Sequence, residues 1–218
     1  MEERLKKIDF RTAFDPVFLN NMQSGVLSYT YKGVSCLKSP LDLALYSKLI
    51  WEMKPGTLIE IGTYRGGSAL WFADIVASFN YKTNIISIDI KDYSEVRDTR
   101  VNYLIGDVNK LGEIITPHLL ELLPRPLLII EDSAHSYDAT LAALKFFDRE
   151  MKQGDVIIIE DGILDELGMS ETFNGGPNRA LAEFLNECND HFEIMTDYCN
   201  YYGRNATYNP NGYLRRLK

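Results

Sequence analysis

Along the middle of the chain, short unbroken apolar runs alternate with longer stretches of helical spacing. The runs are Thr57–Ile61, Asn84–Asp89, Val101–Ile105, Leu127–Glu131 and Val156–Glu160, and each predicts a strand. Continuous rather than alternating apolar runs mark strands covered on both faces, as in a parallel sheet. Between them lie helix predictions at Ser68–Phe79, Lys110–Leu123 and Tyr137–Glu150. This repetition predicts a doubly wound α/β fold. Upstream, Ser39-Pro40-Leu41-Asp42 reads as a helix start. Ser39 can cap, Pro40 suits the first helical position, and Asp42 stands where a capping-box acid reaches back. Leu41, Ala44, Leu45, Lys48 and Leu49 continue at helical spacing, and Lys54-Pro55-Gly56 ends the helix. Downstream, a loop through Gly175-Gly176-Pro177 leads to a helix near Asn178–Asn189 and to strands at Phe192–Asp197 and Gly212–Leu217. Residues 1–38 are aromatic and weakly periodic. They predict a short helix and loop covering a single domain over 39–218, with no repeat or linker to suggest a second.

The chemistry is expected where these strands end, because ligands of an open parallel sheet bind beyond the strands' carboxyl ends. The first strand runs into Glu60-Ile61-Gly62-Thr63-Tyr64-Arg65-Gly66-Gly67-Ser68, a glycine turn opening a helix whose N-terminus offers unpaired N–H groups. The later strands end on Asp89, on Gly106-Asp107, on Glu131-Asp132-Ser133-Ala134-His135, and on Glu160-Asp161-Gly162. Acids thus line one edge of the sheet in two groups. Glu60, Asp89 and Asp107 surround the turn, where acids accept hydrogen bonds from ribose hydroxyls or lie near an adenine edge. The turn departs from G-x-G-x-x-G, and Glu60 before it would repel a pyrophosphate. S-adenosylmethionine, cationic and free of phosphate, fits better than NAD. Asp132, Glu160 and Asp161 form the second group, and three neighbouring carboxylates call for a neutralising cation, with Mg²⁺ or a similar ion suited to oxygen ligands. Pairing with Arg97, Arg100 or Arg179 is the bland alternative. His135, three residues past Asp132, is placed to take a proton from a hydroxyl bound beside such an ion.

Charge and composition narrow the partners. A net charge of −8 argues against a nucleic-acid partner. Three cysteines without CxxC spacing, Cys36, Cys188 and Cys199, suggest neither a disulfide framework nor a zinc site. No apolar run approaches membrane-spanning length, and Met1–Lys7 lack the apolar core of a signal peptide, so a cytoplasmic protein is expected.

Several ordered segments carry a resemblance. They are Tyr31-Lys32-Gly33, Leu37-Lys38-Ser39-Pro40-Leu41-Asp42, Lys54-Pro55-Gly56, Glu60–Ser68, Glu131–His135, Glu160-Asp161-Gly162, Gly175-Gly176-Pro177 with Phe184-Leu185, and Asn211-Gly212-Tyr213-Leu214-Arg215-Arg216. Together they resemble the cephalosporin hydroxylase-like family, a branch of the class I S-adenosylmethionine-dependent methyltransferases that includes sugar O-methyltransferases. The resemblance implies a Rossmann-like, seven-stranded sheet with an antiparallel last strand, and the cofactor at the glycine turn. It also implies Mg²⁺ on Asp132, Glu160 and Asp161. Related enzymes carry a base three residues after the first ligand, Lys in the catechol type and His in the macrolide-sugar type; His135 matches the latter. Nothing resembles the His-rich ligand set of an oxygen-activating iron site.

The expectation is therefore a metal-dependent O-methyltransferase acting on a hydroxyl of a sugar, glycoside or sugar nucleotide, or of another polyhydroxylated product, and forming a homo-oligomer. His135 would be the base, Asp132, Glu160 and Asp161 the metal ligands, and Glu60, Gly62, Ser68, Asp89 and Asp107 the cofactor contacts. Lys38 and the aromatics before it would cover the substrate mouth. Two alternatives stand beside this reading: an NAD-linked oxidoreductase, and a non-catalytic S-adenosylmethionine-binding component of a biosynthetic complex.

Overall fold

The computed structural model describes residues 8–188 and 190–218. The Met1–Lys7 reading, the start of the predicted cover and the last residue of the predicted Asn178–Asn189 helix lie outside those residues.

Helix α1 (Pro16–Ser28) opens the chain, capped by the Asp15 carboxylate on Val17 N and Phe18 N. A two-stranded hairpin follows, β1 (Thr30–Tyr31) and β2 (Val34–Ser35), and then α2 (Pro40–Met53), which begins where the sequence places it. Ser39 Oγ accepts from Asp42 N at 3.1 Å, but the Asp42 carboxylate does not close the box onto the Ser39 backbone. It accepts from the Ser39 hydroxyl and from groups beyond residue 200.

The main sheet is built from β3 (Thr57–Ile61), β4 (Asn84–Asp89), β5 (Val101–Ile105), β6 (Leu127–Glu131), β7 (Val156–Ile159), β8 (Phe192–Ile194) and β9 (Tyr213–Arg216). Its order is β5-β4-β3-β6-β7-β9-β8, with β3 to β7 parallel and β9 antiparallel to both neighbours. Around it pack α3 (Gly67–Ser78), α4 (Leu111–Ile114), α5 (Pro117–Leu122), α6 (Tyr137–Glu150), α7 (Gly176–Glu187) and the short α8 (Thr196–Cys199). The apolar strands are explained by two cores. In β6, Leu127 and Ile129 face a cluster with Leu144 and Phe147 of α6 and Phe184 of α7. Leu128 and Ile130 face the opposite cluster, with Leu45 and Ile50 of α2 and Phe72 of α3. Both faces are buried, so no polar alternation survives.

Two predicted elements differ. The stretch read as one helix over Lys110–Leu123 is broken into α4 and α5. Pro117 disfavours helical backbone in the residue before it, and Thr116, extended at ψ 151°, instead caps α5 through Oγ1. The strand expected over Phe192–Asp197 ends at Ile194, and Thr196–Cys199 turn helical. It is an edge strand pairing only with β9, and native edges are commonly kept this short. Among the described residues no helix is long and apolar enough to cross a membrane.

Candidate active site

Strand order reverses between β3 and β6, the crossover point where open α/β sheets bind ligands. The strand ends are tied together there: Asp132 N donates to Ile61 O at 2.8 Å, Gly62 N to Ile88 O at 2.7 Å, and Glu160 N to Glu131 O at 3.0 Å. A cleft of about 570 Å³ opens above them, and a smaller one of about 250 Å³ adjoins it, both lined by Gly62, Asp89 and Ser133. These volumes suit one or two small-molecule ligands.

Of the residues singled out in the sequence, Lys38, Gly62, Ser68, Asp89, Asp132, His135 and Asp161 line the larger cleft, and Asp107 lines the smaller one with Asp89. Glu60 and Glu160 line neither. Glu60 lies fully buried beneath the turn, where Oε2 accepts from Ser87 Oγ at 2.6 Å and Oε1 has no partner among the described residues. Burial pushes its carboxyl up, against the opposing pull of Lys38. Asp89 accepts from Tyr64 N at 2.7 Å, and Asp107 caps the following 3-10 turn on Asn109 N, which holds its carboxyl below the usual range.

Gly62 has a reason to be glycine besides ligand approach. A Cβ there would lie 1.9 Å from the Asp132 carbonyl oxygen, and φ is +107°. The turn is thus pressed against the end of β6, bringing the two groups of acids together.

Asp132, His135 and Asp161 converge, each offering one ligand atom within 4.8 Å of the others. His135 Nδ1 lies 3.3 Å from Asp161 Oδ2 and 3.7 Å from Asp132 Oδ1. Burial pushes the imidazole pKa down, but the charges of Asp161 and Asp132 outweigh it and the net shift is upward. Burial likewise raises Asp161 to about 6, with His135 opposing. Tyr64, His135 and Asp161 all have positive φ, at 46°, 54° and 59°. For non-glycine residues that backbone is strained, and such strain clusters at functional sites.

Glu160 is not part of this group among the described residues. Its Oε1 accepts from Lys38 Nζ at 2.6 Å, and the same ammonium bonds Asp132 Oδ2. Lys38 is 3% exposed. Lys38 lines the cleft, and its ammonium is a buried counter-ion between two of the acids. Burial alone would lower its pKa, but Asp132, Glu160 and Glu60 hold it well above the usual lysine range. The Glu160 carboxyl is pushed well up by burial and by Asp132, with Lys38 opposing. The arginine pairing considered from sequence is not seen at the three acids: Arg97 pairs with Asp92, Arg100 with Asp74 and Asp98, and Arg179 bonds Asn174.

Several cleft residues carried no sequence signal. Gln23, Val26 and Leu27 of α1, Leu164, Met169 and Phe173 of the loop after β7, and Tyr208 also line the larger cleft. The Phe173 ring meets the His135 imidazole edge-on at 6.0 Å.

Known proteins resemble the chain over most of its length. The family model described as Rhamnosyl O-methyltransferase/CmcI matches residues 24–217. A rhamnosyl O-methyltransferase of Mycobacterium tuberculosis is 27% identical over 86% of this chain and 78% of its own. The Mycobacterium leprae counterpart is 28% identical over 86% and 82%. Among solved structures, a CmcI N160 form without ligand is 27% identical, covering 88% of this chain and 77% of its own, with a TM-score of 0.71. A CmcI D160 form with Mg and SAM is 26% identical over 88% and 78%, with a TM-score of 0.68. An O-methyltransferase of Bacillus cereus in complex with SAH, 15% identical with a TM-score of 0.54 over 80% of this chain and 79% of its own, shares the fold alone. With the match spanning almost the whole sequence, the chain belongs to the Rhamnosyl O-methyltransferase/CmcI family.

Proposed function

We propose that this O-methyltransferase transfers the methyl group of S-adenosylmethionine to a hydroxyl of a sugar or similar polyhydroxylated small molecule, with a divalent cation at the acidic cluster. The observation that carries the proposal is the convergence of Asp132, His135 and Asp161 beside the Gly62 turn, in one cleft at the crossover point. Membership of the family sets aside the NAD-linked alternative. That rhamnosyl relatives match along most of this chain supports a sugar acceptor, and the Mg and SAM of the related CmcI structure support the two cofactors.

The residues present fit both groups. Glu60 Oε1, buried without a partner, suits an ammonium reached across the turn. Asp89 and Asp107 flank the smaller cleft, where ribose hydroxyls and an adenine edge would lie. Asp132 and Asp161 supply hard oxygen donors, and Glu160 joins them if its carboxylate is shared between Lys38 and the cation. Bound together, S-adenosylmethionine supplies an electrophilic methyl carbon and the cation lowers the pKa of the acceptor hydroxyl. The protein's part is to orient and deprotonate. Asp161 holds the His135 ring through Nδ1, leaving Nε2 to take the hydroxyl proton. Val26, Leu164, Met169 and Phe173 wall the cleft and exclude water from the transfer.

Methyl transfer and cofactor binding measured side by side test these roles. His135→Ala and Asp161→Ala are expected to abolish transfer while calorimetric S-adenosylmethionine affinity stays within several-fold of wild type. Full activity in either variant contradicts the assignment. The proximity of His135 Nδ1 to both aspartates favours one second reading, in which the imidazole is itself a metal ligand. His135→Ala would then weaken Mn²⁺ binding at least as much as Asp161→Ala does.

A further inference from the structure

Five buried side-chain atoms lack a hydrogen-bond partner among the described residues: Gln23 Oε1, Glu60 Oε1, Arg125 Nε, Tyr208 OH and Arg216 Nε. Arg125 donates from its other nitrogens to Asp155 and the Glu150 carbonyl, and Arg216 to Asp148, away from the cleft. Glu60 lies beneath the glycine turn. Gln23 and Tyr208 both line the large cleft.

Tyr208 is held by everything except its hydroxyl. It is 4% exposed, its N–H donates to Asp42 Oδ2 at 2.9 Å, and its carbonyl accepts from Ile163 N at 3.0 Å. Its ring is wedged among Leu19 and Val26 of α1 and Ile163. A buried phenol without a partner costs stability, and such groups in native proteins call for an explanation. A cleft-lining side chain locked by packing, with one buried polar atom unpartnered, is preorganised for a ligand.

We propose that Tyr208 and Gln23 are the acceptor-recognition pair, binding hydroxyls of the acceptor other than the one that is methylated. The inference rests on the methyltransferase reading of the same cleft. Gln23 Oε1 only accepts, so its partner must donate; the phenol can donate or accept. A ring bearing neighbouring hydroxyls satisfies both. The apolar wall of Val26, Leu164, Met169 and Phe173 suits the C–H face of that ring. The chemical class is a pyranoside with at least one free hydroxyl beside the methylated position, rather than a simple alcohol or monophenol. It also gives the N-terminal helix a role, since Gln23 comes from α1.

The variants Tyr208→Phe and Gln23→Leu test this, with methyl α-L-rhamnopyranoside and its monodeoxy analogues as probes. Without ligands, Tyr208→Phe should melt at or a few degrees above wild type, because it deletes an unpaired hydroxyl. In transfer assays the KM for the rhamnoside should rise about tenfold per variant, with the KM for S-adenosylmethionine unchanged. Wild type should discriminate against the deoxy analogue lacking the recognised hydroxyl, and Tyr208→Phe should lose that discrimination. A melting temperature several degrees below wild type would show a structural partner for the phenol and overturn the inference. So would transfer with unchanged acceptor KM in both variants. No transfer by wild type to any hydroxylated acceptor would instead bring down the methyltransferase reading, and the melting comparison would still judge the pair.

Discussion

The buried carboxylate of Asp42 ties the first helix of the domain to the segment that ends it, and its loss should be among the most costly single changes in the chain. It is 1% exposed. It accepts from Ser39 Oγ at 2.6 Å, Tyr208 N at 2.9 Å, Tyr213 OH at 2.9 Å and the Thr207 hydroxyl. Asp42→Ala removes the acceptor and strands the Tyr208 N–H and Tyr213 O–H in a dry interior, where each unpaired group costs ~1–3 kcal/mol. Thr207 and Ser39 can rotate to other partners. The sum is a loss of about 3–5 kcal/mol, or roughly 10 °C in Tm for a domain of this size. Because Asn209 Oδ1 in the same segment accepts from Asp161 N at 3.1 Å, and Asn209 Nδ2 lies 3.4 Å from Asp42 Oδ1, the damage should reach the cleft. Urea denaturation followed by circular dichroism reads the effect as a fall in midpoint with an unchanged slope. A variant within about 1 kcal/mol of wild type would refute the claim that this carboxylate carries the junction.

Three further outcomes follow from particular contacts. Gly62→Ala forces a Cβ to within 1.9 Å of the Asp132 carbonyl at a φ of +107°, so it should yield little folded protein; a wild-type melting curve would contradict the close packing. Lys38→Met leaves Asp132 and Glu160 without their buried counter-ion, which should cost about 3–5 kcal/mol without metal. Adding Mg²⁺ should restore much of that in thermal melts, and identical melts with and without Mg²⁺ would argue against a shared site. Asp74 anchors the β1–β2 hairpin through Tyr31 OH at 2.9 Å and Lys32, and also binds Arg100. Burial would raise its carboxyl, but hydrogen bonds from Lys32, Arg100 and Tyr31 bring it down to about 2 from an ordinary 3.8. Its contribution is therefore complete above about pH 4 and is lost as pH falls toward 2. The stability gap between wild type and Asp74→Asn should narrow over that window; a constant gap would contradict the pairing.

What the sequence disclosed and what it hid divide along physical lines. The inner parallel strands were legible because they are mostly apolar and buried on both faces, and the helix start at Ser39-Pro40 because capping chemistry is local. The break before Pro117 was equally local, and periodicity alone passed over it. The role of Lys38 was not legible, since its partners lie 94 and 122 residues away. Nor was the distinction between Asp161, which faces the cleft, and Glu160, its chain neighbour, which turns to that lysine. Gly62 stood among the expected cofactor contacts, and its tightest constraint is the backbone of Asp132. Gln23 and Tyr208 carry no motif, and only the fold brings both to one cleft.

Methylation of a sugar hydroxyl in this cleft, with the help of a divalent cation, can be observed directly. The most direct measurement incubates the protein with methyl-labelled S-adenosylmethionine and methyl α-L-rhamnopyranoside, in Mg²⁺ and in excess EDTA, and identifies the product by mass. A singly O-methylated rhamnoside should form with Mg²⁺ and disappear with EDTA. Equal yield in EDTA would contradict the assigned cation, and no labelled product with this or any other hydroxylated acceptor would contradict the function.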